Sequence, residues 1–370
     1  MTIRYGVIGA GMMAREHIRN ILILDGAEVG AIADPVESER ARAMALAGEQ
    51  ALDFADHESL LEGTNCDAFV IATPNDTHCR ILLDLLPSCK PVLIEKPLCT
   101  TSAGCRKVIA AAAGRKAPVW VAMEYRYMPP LEHMLRKLEE NAVGVPAMMS
   151  VREHRYPFLD KVGNWNRFSE RTGGTLVEKC CHFWDLMRLF LKSDPVRVFA
   201  SGSMAANHLD ESHSGRRPDI MDNAYAIVDF ANGTRGMLDL CMFGEGAYWQ
   251  ETVSVSGSQA RIEAMVPAPA RFVAGGEKRA SRVELSIRSG SGPQVREFRI
   301  DDAILDAGDH HGATFYQHRR FLELVRSGKG APEVTLGDGH WAVLVGEAAE
   351  KSAREGRAVN LSELSLPSAE

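Results

Sequence analysis

The chain has 370 residues, more than one compact hydrophobic core normally supports, so we expect two domains. Hydrophobic residues make up 45% and charged residues 25% of it, and the net charge of -7 argues against a nucleic-acid-binding surface. No apolar stretch reaches the length of a membrane span, and the first residues lack a signal-peptide pattern. We therefore expect a cytoplasmic protein that contacts neither nucleic acid nor a membrane.

The 8 cysteines and the paired histidines offer two apparent metal sites, and we predict that neither binds metal. No two cysteines have Cys-x-x-Cys spacing, and the side chains of Cys180, Cys181 and His182 would point about 100° apart on a helix. His310 and His311 have no acidic or cysteine partner at ligand spacing in the sequence. The cysteines are expected to be reduced and mostly buried.

The first stretch has the pattern of a nucleotide-binding turn. An apolar strand over residues 3–9 leads into Gly9-Ala10-Gly11-Met12-Met13-Ala14, after which apolar residues recur at helical spacing. The first glycine permits a tight turn, the second lets the backbone approach a pyrophosphate, and the helix N-terminus favours its negative charge. We predict that Gly9, Gly11, Met12 and Met13 bind a dinucleotide.

A second predicted strand, residues 28–33, ends at Asp34. An acidic side chain at this point accepts hydrogen bonds from the ribose hydroxyls and repels a 2′-phosphate. No arginine stands beside Pro35, so the sequence favours NAD over NADP. The alternative is that Asp34 only forms the turn before Pro35.

Strands alternate with helices as far as residue 123, which predicts a doubly wound parallel sheet. In that sheet, Val92-Leu93-Ile94 reads as a strand buried on both faces, followed by Glu95-Lys96-Pro97. Ligands of such sheets bind at the carboxyl ends of the strands, so Lys96 is placed to touch both a cofactor and a substrate. The alternative is a solvated Glu-Lys pair that closes a strand.

After Met123 the pattern changes from helix–strand alternation to short alternating strands joined by turns such as Asn232-Gly233. This pattern predicts an antiparallel sheet. Pro129 and Pro130 are expected to break any helix. Predicted strands cover residues 147–154, 196–203, 224–230, 235–241, 252–256, 260–264, 282–287 and 295–300.

Gly9-x-Gly11-x-x-Ala14, Thr73-Pro74-Asn75-x-x-His78 and Glu95-Lys96-Pro97, in this order and spacing, resemble the glucose-fructose oxidoreductase / inositol dehydrogenase / MocA family over essentially the whole chain. The resemblance implies an α/β fold with two domains. Residues 1–123 would form an NAD-binding Rossmann domain. Residues 124–370 would form an α+β domain for substrate binding and oligomerisation, with a large, open, mostly antiparallel sheet. A homodimer or homotetramer is expected.

The resemblance also implies the activity, which is hydride transfer from a hydroxyl of a sugar, sugar acid or cyclitol to NAD. Lys96 and His182 would be catalytic. His182 lies four residues after Glu178, so both would share one helix face, and Glu178 would support the imidazole. The alternative for His182 is a satisfied interior histidine.

Further site residues are expected along the cofactor and around the substrate. Residues 152–171 are rich in cationic and aromatic side chains, which favours an anionic or polyhydroxylated ligand, with a solvated basic face as the alternative. Besides the turn residues and Asp34, the expected cofactor contacts are Thr73, Asn75, His78, Glu95, Lys96, Glu124, Arg126, Trp165 and Arg167. The expected substrate contacts are Arg126, Arg152, His154, Tyr156, Lys179, His311 and Tyr316.

Two other functions fit parts of the pattern. The same fold can oxidise a sugar hydroxyl transiently, eliminate the glycosidic group and return the hydride, which would make the protein an NAD-dependent glycosidase, with the cationic segment suited to an acidic or sulfonated sugar. A non-enzymatic NAD sensor is the other alternative. The retained Lys96, Glu178 and His182 argue against it, since a sensor needs no acid/base group.

Overall fold

The computed structural model describes residues 2–290 and 292–365. Its first half contains a six-stranded parallel sheet with strand order β3-β2-β1-β4-β5-β6. The outermost residues of the two predicted domains, 1 and 366–370, lie outside the described part. The strands are β1 Ile3–Ile8, β2 Ala27–Ala33, β3 Leu52–Phe54, β4 Ala68–Ile71, β5 Val92–Ile94 and β6 Val119–Val121.

Five helices connect these strands and cover both faces of the sheet. The strand residues Val92, Leu93 and Ile94 are fully buried, as the apolar run predicted. The chain order reverses direction at β1, and this switch point sets the position of a ligand cleft at the carboxyl ends of β1 and β4. The helices are α1 Met12–Leu22, α2 Glu37–Ala47, α3 His57–Gly63, α4 His78–Leu85 and α5 Ser102–Ala111.

The second half contains a nine-stranded sheet of order β14-β13-β12-β11-β7-β10-β9-β8-β15. Neighbouring strands are antiparallel except for β7 and β10, which pair in parallel, so the sheet is mixed and mostly antiparallel. Its strands are β7 Pro146–His154, β8 Pro195–Ser203, β9 Asn223–Phe230, β10 Arg235–Cys241, β11 Trp249–Gly257, β12 Ala260–Pro267, β13 Ser281–Ile287, β14 Gln294–Phe298 and β15 Val359–Asn360.

The helices of the second half correct two expectations. Pro129 and Pro130 begin a helix and do not break one, because the first helical positions need no backbone N–H. The helix expected to carry both Glu178 and His182 is interrupted at residues 179–180. The helices are α6 Pro129–Glu139, α7 Ser169–Thr172, α8 Thr175–Glu178, α9 Cys181–Leu191, α10 Asp302–Ala307, α11 Ala313–Ser327, α12 Leu336–Glu355 and α13 Ser362–Ser365.

Helix α12 joins the two halves, because it packs on α5 and β6 of the first and on α8, α9 and β8 of the second. Two glycines make the close approach possible. A Cβ at Gly346 would lie 2.6 Å from the carbonyl oxygen of Leu176, and one at Gly339 would lie 3.1 Å from Leu98 and Val121. Elements of both halves are therefore packed against one helix.

The nine-stranded sheet packs one face on the helices and leaves the other open. Along β9, Ala224, Ala226 and Val228 are buried, whereas Tyr225 and Ile227 between them are 66% and 50% exposed. This alternation is what a strand with one solvent-facing side shows. Among the residues described, no helix is both long and apolar enough to cross a membrane.

Candidate active site

A cleft of about 740 Å³ opens where β1, β2, β4 and β5 end and the second half begins. It brings together eleven of the residues predicted from the sequence, although they come from six separate segments. These are Gly9, Gly11, Met12, Met13, Asp34, Thr73, Asn75, Glu95, Lys96, Trp165 and Glu178.

The two glycines of the first turn serve different purposes. Gly9 has φ +99°, and a Cβ there would lie 2.4 Å from the carbonyl oxygen of Ala72, so this position requires glycine for the fold. Gly11 has φ −68° and precedes α1, and a Cβ there would meet nothing within 4 Å. The space over Gly11 faces the cleft at a helix N-terminus, which fits the pyrophosphate of a dinucleotide.

Asp34 lies at the end of β2 and holds the turn together through both carboxylate oxygens. Oδ2 accepts a hydrogen bond from the backbone N–H of Ala10, and Oδ1 accepts one from Val36, each at 2.8 Å. Nearby, Arg15 and Arg42 both pair with Glu39, at 2.5 and 2.6 Å. The wall beside Asp34 thus combines carboxylates with arginines that already have partners, which suits ribose hydroxyls better than a 2′-phosphate.

The segment after β4 supplies polar groups to the cleft. The Nδ2 atom of Asn75 is buried and has no hydrogen-bond partner among the described residues, so it is a donor that a bound dinucleotide would satisfy. His78 does not line the cleft, contrary to expectation. Its ring nitrogens lie 2.8 Å from the carbonyl oxygen of Pro97 and 3.0 Å from that of Thr73, so it ties the two turns together.

Lys96 lies at the junction of the nucleotide turn and the second domain. Its Nζ donates to the carbonyl oxygen of Glu178 at 3.2 Å, and its backbone N–H donates to Glu95. Burial disfavours the charged ammonium, but the neighbouring Cys181, Glu95 and Glu178 outweigh it and raise the pKa of Lys96. The side chain is therefore a cationic hydrogen-bond donor and not a base at neutral pH.

Glu95 is fixed by His17 from helix α1. The Nε2 atom of His17 lies 2.8 Å from Glu95 Oε1, and Nδ1 lies 2.8 Å from Nε2 of His318 on α11. Burial opposes ionisation, yet the hydrogen bond and charge of His17 and the charge of Lys96 lower the pKa of Glu95 to about 2. Glu95 is thus a carboxylate held by His17, which in turn contacts α11 of the second half.

Glu178 does not support His182 as expected. Because the helix is interrupted between them, the Glu178 carboxylate instead faces Lys161, with Oε1 3.3 Å from Nζ. His182 is buried beneath the ring of Tyr125, with ring centroids 4.1 Å apart and planes 7° from parallel. Burial, followed by the charges of Lys96 and Lys179, places the pKa of His182 well below its usual value, so its imidazole is neutral at pH 7.

Lys179 lies behind His182, inside the protein and away from the cleft walls. Its Nζ donates to the hydroxyl of Tyr125 at 2.7 Å and pairs with Glu153 at 2.8 Å, while the Tyr125 hydroxyl donates to Glu251 at 2.8 Å. The expected substrate contact at Lys179 is therefore replaced by a buried network that fixes Tyr125, and through it the plane of His182.

Three expected ligand contacts lie away from the cleft. Arg126 pairs with Asp185 through two nitrogens, at 2.6 and 2.5 Å, and donates to the carbonyl oxygen of Glu333. Arg152 and His154 lie on the open face of β7, because residues that alternate with the buried Val151 and Glu153 point the opposite way. The carboxylate of Asp239 on that face is 3.1 Å from His154.

The segment between β7 and α7 passes over the cleft. Trp165 lines the cleft with the Nζ of Lys161 at 4.4 Å from its ring centroid, whereas Arg167 is buried between Asp160 and Glu211. Arg167 therefore anchors this segment from behind, and the expected cofactor contact is made at most through Trp165.

The remaining expected contacts also have structural partners. Tyr156 stacks on Phe272 with ring centroids 3.5 Å apart, and the Nε2 atom of His311 lies 2.8 Å from the carbonyl oxygen of Pro267. Tyr316 packs beside Gly312 and under Arg319. Of the two adjacent histidines it is His310 that faces Tyr125, with ring centroids 6.1 Å apart. Glu124 is also away from the cleft lining, with its Oε2 2.6 Å from the hydroxyl of Thr314 and its Oε1 3.5 Å from His310.

Four residues at the site were not predicted from the sequence: His17, Tyr125, Lys161 and His310. His17 lies at helical spacing on α1, and Tyr125 stood in the predicted interdomain segment, so both had a positional signal. Lys161 and His310 lie outside regular strands and long helices, where no periodicity indicates which way a side chain points.

Comparison with known proteins agrees with this fold. The family model described as "Oxidoreductase family, NAD-binding Rossmann fold" matches residues 3–123, and that described as "Oxidoreductase family, C-terminal alpha/beta domain" matches residues 136–361. The chain belongs to this glucose-fructose oxidoreductase / inositol dehydrogenase / MocA family. It is an oxidoreductase whose cofactor is NAD.

Individual relatives match two thirds or more of the chain. The chain is 27% identical to a myo-inositol 2-dehydrogenase of Thermotoga maritima, over 98% of this chain and 99% of that one. It is 31% identical to an inositol 2-dehydrogenase of Saccharopolyspora erythraea, over 67% and 68% of the two chains. A levoglucosan dehydrogenase solved with NADH and levoglucosan has the same fold, with a TM-score of 0.80, 18% identity and coverage of 98% and 100%.

Proposed function

We propose that this protein oxidises a secondary hydroxyl of a neutral cyclitol or sugar with NAD, and that Lys96 and His182 perform the proton chemistry. The relatives named as inositol 2-dehydrogenases and the levoglucosan dehydrogenase of the same fold support the substrate class. The remaining support comes from the charges around the cleft.

One observation carries the proposal. The Lys96 ammonium lines the cleft beside Glu95 and donates to the carbonyl oxygen of Glu178. Glu178 is the last residue of α8, and His182 is the second residue of α9. The donor that follows the strand end is therefore in contact with the second half of the protein four residues before His182, which is itself buried and does not line the cleft. Alcohol oxidation needs a donor and an acid/base group, since the hydroxyl proton has to leave with the hydride.

When bound in the cleft lined by Gly11, Asp34 and Asn75, NAD would supply the hydride acceptor. His182, neutral because of its burial, takes the hydroxyl proton on an imidazole nitrogen. Lys96 stays protonated and donates a hydrogen bond to the oxygen on which negative charge develops. Tyr125, held by Lys179 and Glu251, keeps the His182 ring in its plane and protects it from bulk water.

The cations of the site favour a neutral substrate. Lys161 at the cleft wall pairs with Glu178, so its ammonium is not left without a carboxylate. An anionic sugar would have to compete with this mostly buried pair, at a cost of several kcal/mol. A polyol instead gains hydrogen bonds from both members of the Lys161–Glu178 pair at the cleft wall.

The test is a screen of cyclitols, neutral sugars and sugar acids with NAD and NADP, followed by NADH absorbance. We expect NADH to accumulate with a neutral cyclitol or sugar and not with the sugar acids. Aryl glycosides with trace NAD form a second arm of the screen. Release of the aglycone without net NADH would assign the protein to NAD-dependent glycosidases and overturn the proposal.

We also propose that the open sheet face pairs with a second copy of the chain. Large apolar side chains stand in its centre on four adjacent strands, namely Phe199, Tyr225, Ile227, Met237 and Met148. An exposed apolar patch of this extent is typical of an interface. Light scattering of the wild-type protein and of Ile227→Asp would test it, with a shift from dimer or tetramer to monomer expected in the variant.

A further inference from the structure

Three side chains from distant parts of the chain meet where the two halves of the protein join. Glu16 comes from α1, Glu124 from the turn after β6, and His310 from the segment before α11. One ligand atom from each residue lies within 4.8 Å of those of the other two. The Nδ1 atom of His310 is 2.9 Å from Glu16 Oε1 and 3.5 Å from Glu124 Oε1.

This cluster contains more acceptors than donors. The hydroxyl of Thr314 lies 2.9 Å from Glu16 Oε1 and 2.6 Å from Glu124 Oε2, yet its single proton serves only one of them. Glu124 Oε1 accepts no hydrogen bond from any described residue, although Glu124 is only 1% exposed. A buried carboxylate oxygen aimed into such a cluster without a donor calls for a cation.

We propose that Glu16, Glu124 and His310 bind a divalent cation of the Zn²⁺ or Mn²⁺ class. Two carboxylate oxygens and one imidazole nitrogen are the ligands that these ions accept, and they leave at least one position for water. Small side-chain rotations would bring the three atoms to about 2 Å from one ion. His310 gives up its Nδ1 proton to solvent when it ligates, because a ligating nitrogen offers its lone pair.

The surroundings match what a metal site needs beyond its ligands. The Thr314 hydroxyl lies within hydrogen-bond distance of both carboxylates and donates to one of them, which is the kind of outer support found around a bound ion. The His310 side chain is 21% exposed and so provides a route for the ion from solvent. Since the ligands come from both halves of the protein, the ion would connect α1 to the chain before α11.

The competitor for this place is a proton. Burial opposes it, but the charges of Glu124 and Glu16 raise the pKa of His310 to about 9, so an imidazolium balances part of the same negative charge. An imidazolium has one N–H at Nδ1, and in the described structure this points to Glu16. The imidazolium therefore leaves Glu124 Oε1 without a hydrogen bond, whereas an ion at the centre of the cluster would coordinate this oxygen.

The test is direct metal binding by the full chain. The purified protein is treated with chelator and titrated with MnCl₂, while free Mn²⁺ is followed by electron paramagnetic resonance and ZnCl₂ serves as competitor. We expect one Mn²⁺ per chain, displaced by Zn²⁺, together with a rise in Tm and release of a proton in weak buffer. Glu124→Gln and His310→Gln should each lower the affinity roughly 10- to 100-fold.

The matched control is His57→Gln. His57, Glu58 and Asp84 form a second group with ligand spacing, but this group lies at the surface and its carboxylates are exposed. His57→Gln should leave the tight Mn²⁺ site unchanged. Glu16→Gln removes the third ligand. It is the substitute if circular dichroism shows that Glu124→Gln or His310→Gln does not fold. Absence of a one-to-one site in the wild type, or equal binding by the wild type and Glu124→Gln, would show that the cluster holds only a proton.

Discussion

The two ends of the cleft are built in different ways. The nucleotide end uses backbone geometry and one carboxylate from the first 34 residues, in which Gly9, Gly11 and Asp34 follow one another along two adjacent strands. The proposed reaction end uses the charged side chains of Lys96, Lys161 and Glu178 and the neutral His182, which come from both domains and are held by contacts between distant segments. The first depends on local sterics, and the second depends on how buried charges pair.

The largest effect should come from Lys96, the residue that belongs to both ends. Lys96→Met should lower kcat by about 10²- to 10⁴-fold, because the developing oxyanion loses its cationic donor. The affinity for NADH, measured by fluorescence titration, should change by less than about threefold, since Gly11 and Asp34 are untouched.

Lys107→Met is the matched control for Lys96→Met, as Lys107 lies exposed on α5. It should leave both kcat and NADH affinity unchanged. If Lys96→Met keeps wild-type turnover, Lys96 is not part of the reaction end.

A pair of glycine substitutions separates fold from binding at the nucleotide end. Gly9→Ala should cost about 1–3 kcal/mol of unfolding free energy, because the new Cβ meets the Ala72 carbonyl and φ is +99°. Gly11→Ala should keep the wild-type Tm, because its Cβ meets no protein atom within 4 Å, and should weaken NAD binding at least tenfold. Thermal unfolding and NAD titration of both variants provide the measurement. Equal losses of stability would contradict the assigned difference.

At the reaction end, the unfolding free energy should depend on whether both members of a charge pair are present. Glu178→Gln and Lys161→Met should each lower stability by about 1–3 kcal/mol, because each leaves the other partner partly buried without its counter-charge. The double variant should be less destabilised than the sum of the two. A second cycle of Glu178→Gln with His182→Asn should be additive, since the interrupted helix keeps these side chains apart. Coupling in the second cycle and additivity in the first would instead support the Glu178–His182 pair that was expected from the sequence.

Much of the nucleotide end was predictable from the sequence because its determinants are local. The strand–turn–helix order predicts where Gly11 and Lys96 lie, and the apolar run of β5 predicts that the strand ends at Glu95. These positions follow from chain order and strand direction alone, so the parallel sheet and its cleft could be placed from the sequence.

The reaction end was less predictable because its contacts join residues far apart in sequence. The i, i+4 spacing of Glu178 and His182 indicated a shared face, but the helix is interrupted at residues 179–180 and the Glu178 carboxylate pairs with Lys161. The cationic residues within 152–171 indicated one ligand-binding cluster, but strand alternation places Arg152 on the open face of the sheet. The choice between His310 and His311 depends on one backbone turn, where His311 has φ +49°.

The smallest predicted effect concerns the support beneath the reaction end. Glu350 on α12 accepts a hydrogen bond from the backbone N–H of Leu176 at 2.9 Å, and a Cβ at Gly174 would lie 2.3 Å from its Oε1. Burial disfavours its charge and outweighs that hydrogen bond and the charge of Arg354, which raises the pKa of Glu350 to about 7. The folded state therefore binds more protons than the unfolded state between the usual value of 4.5 and about 7.

Because of this difference, the contribution of Glu350 to the unfolding free energy falls as pH rises through that window, and the full penalty is present above about pH 7. Glu350→Gln keeps an acceptor for Leu176 without the charge. Relative to wild type, the variant should gain about 1–2 kcal/mol at pH 8 and nothing at pH 4, as urea unfolding would measure. NAD affinity should remain the same at both pH values, because α12 contributes no residue to the cleft. A stability gain that is independent of pH would mean that the shape of the Glu350 side chain, and not its charge, determines how α12 packs against Gly174. The support beneath the reaction end would then depend on steric contacts, as the nucleotide end does.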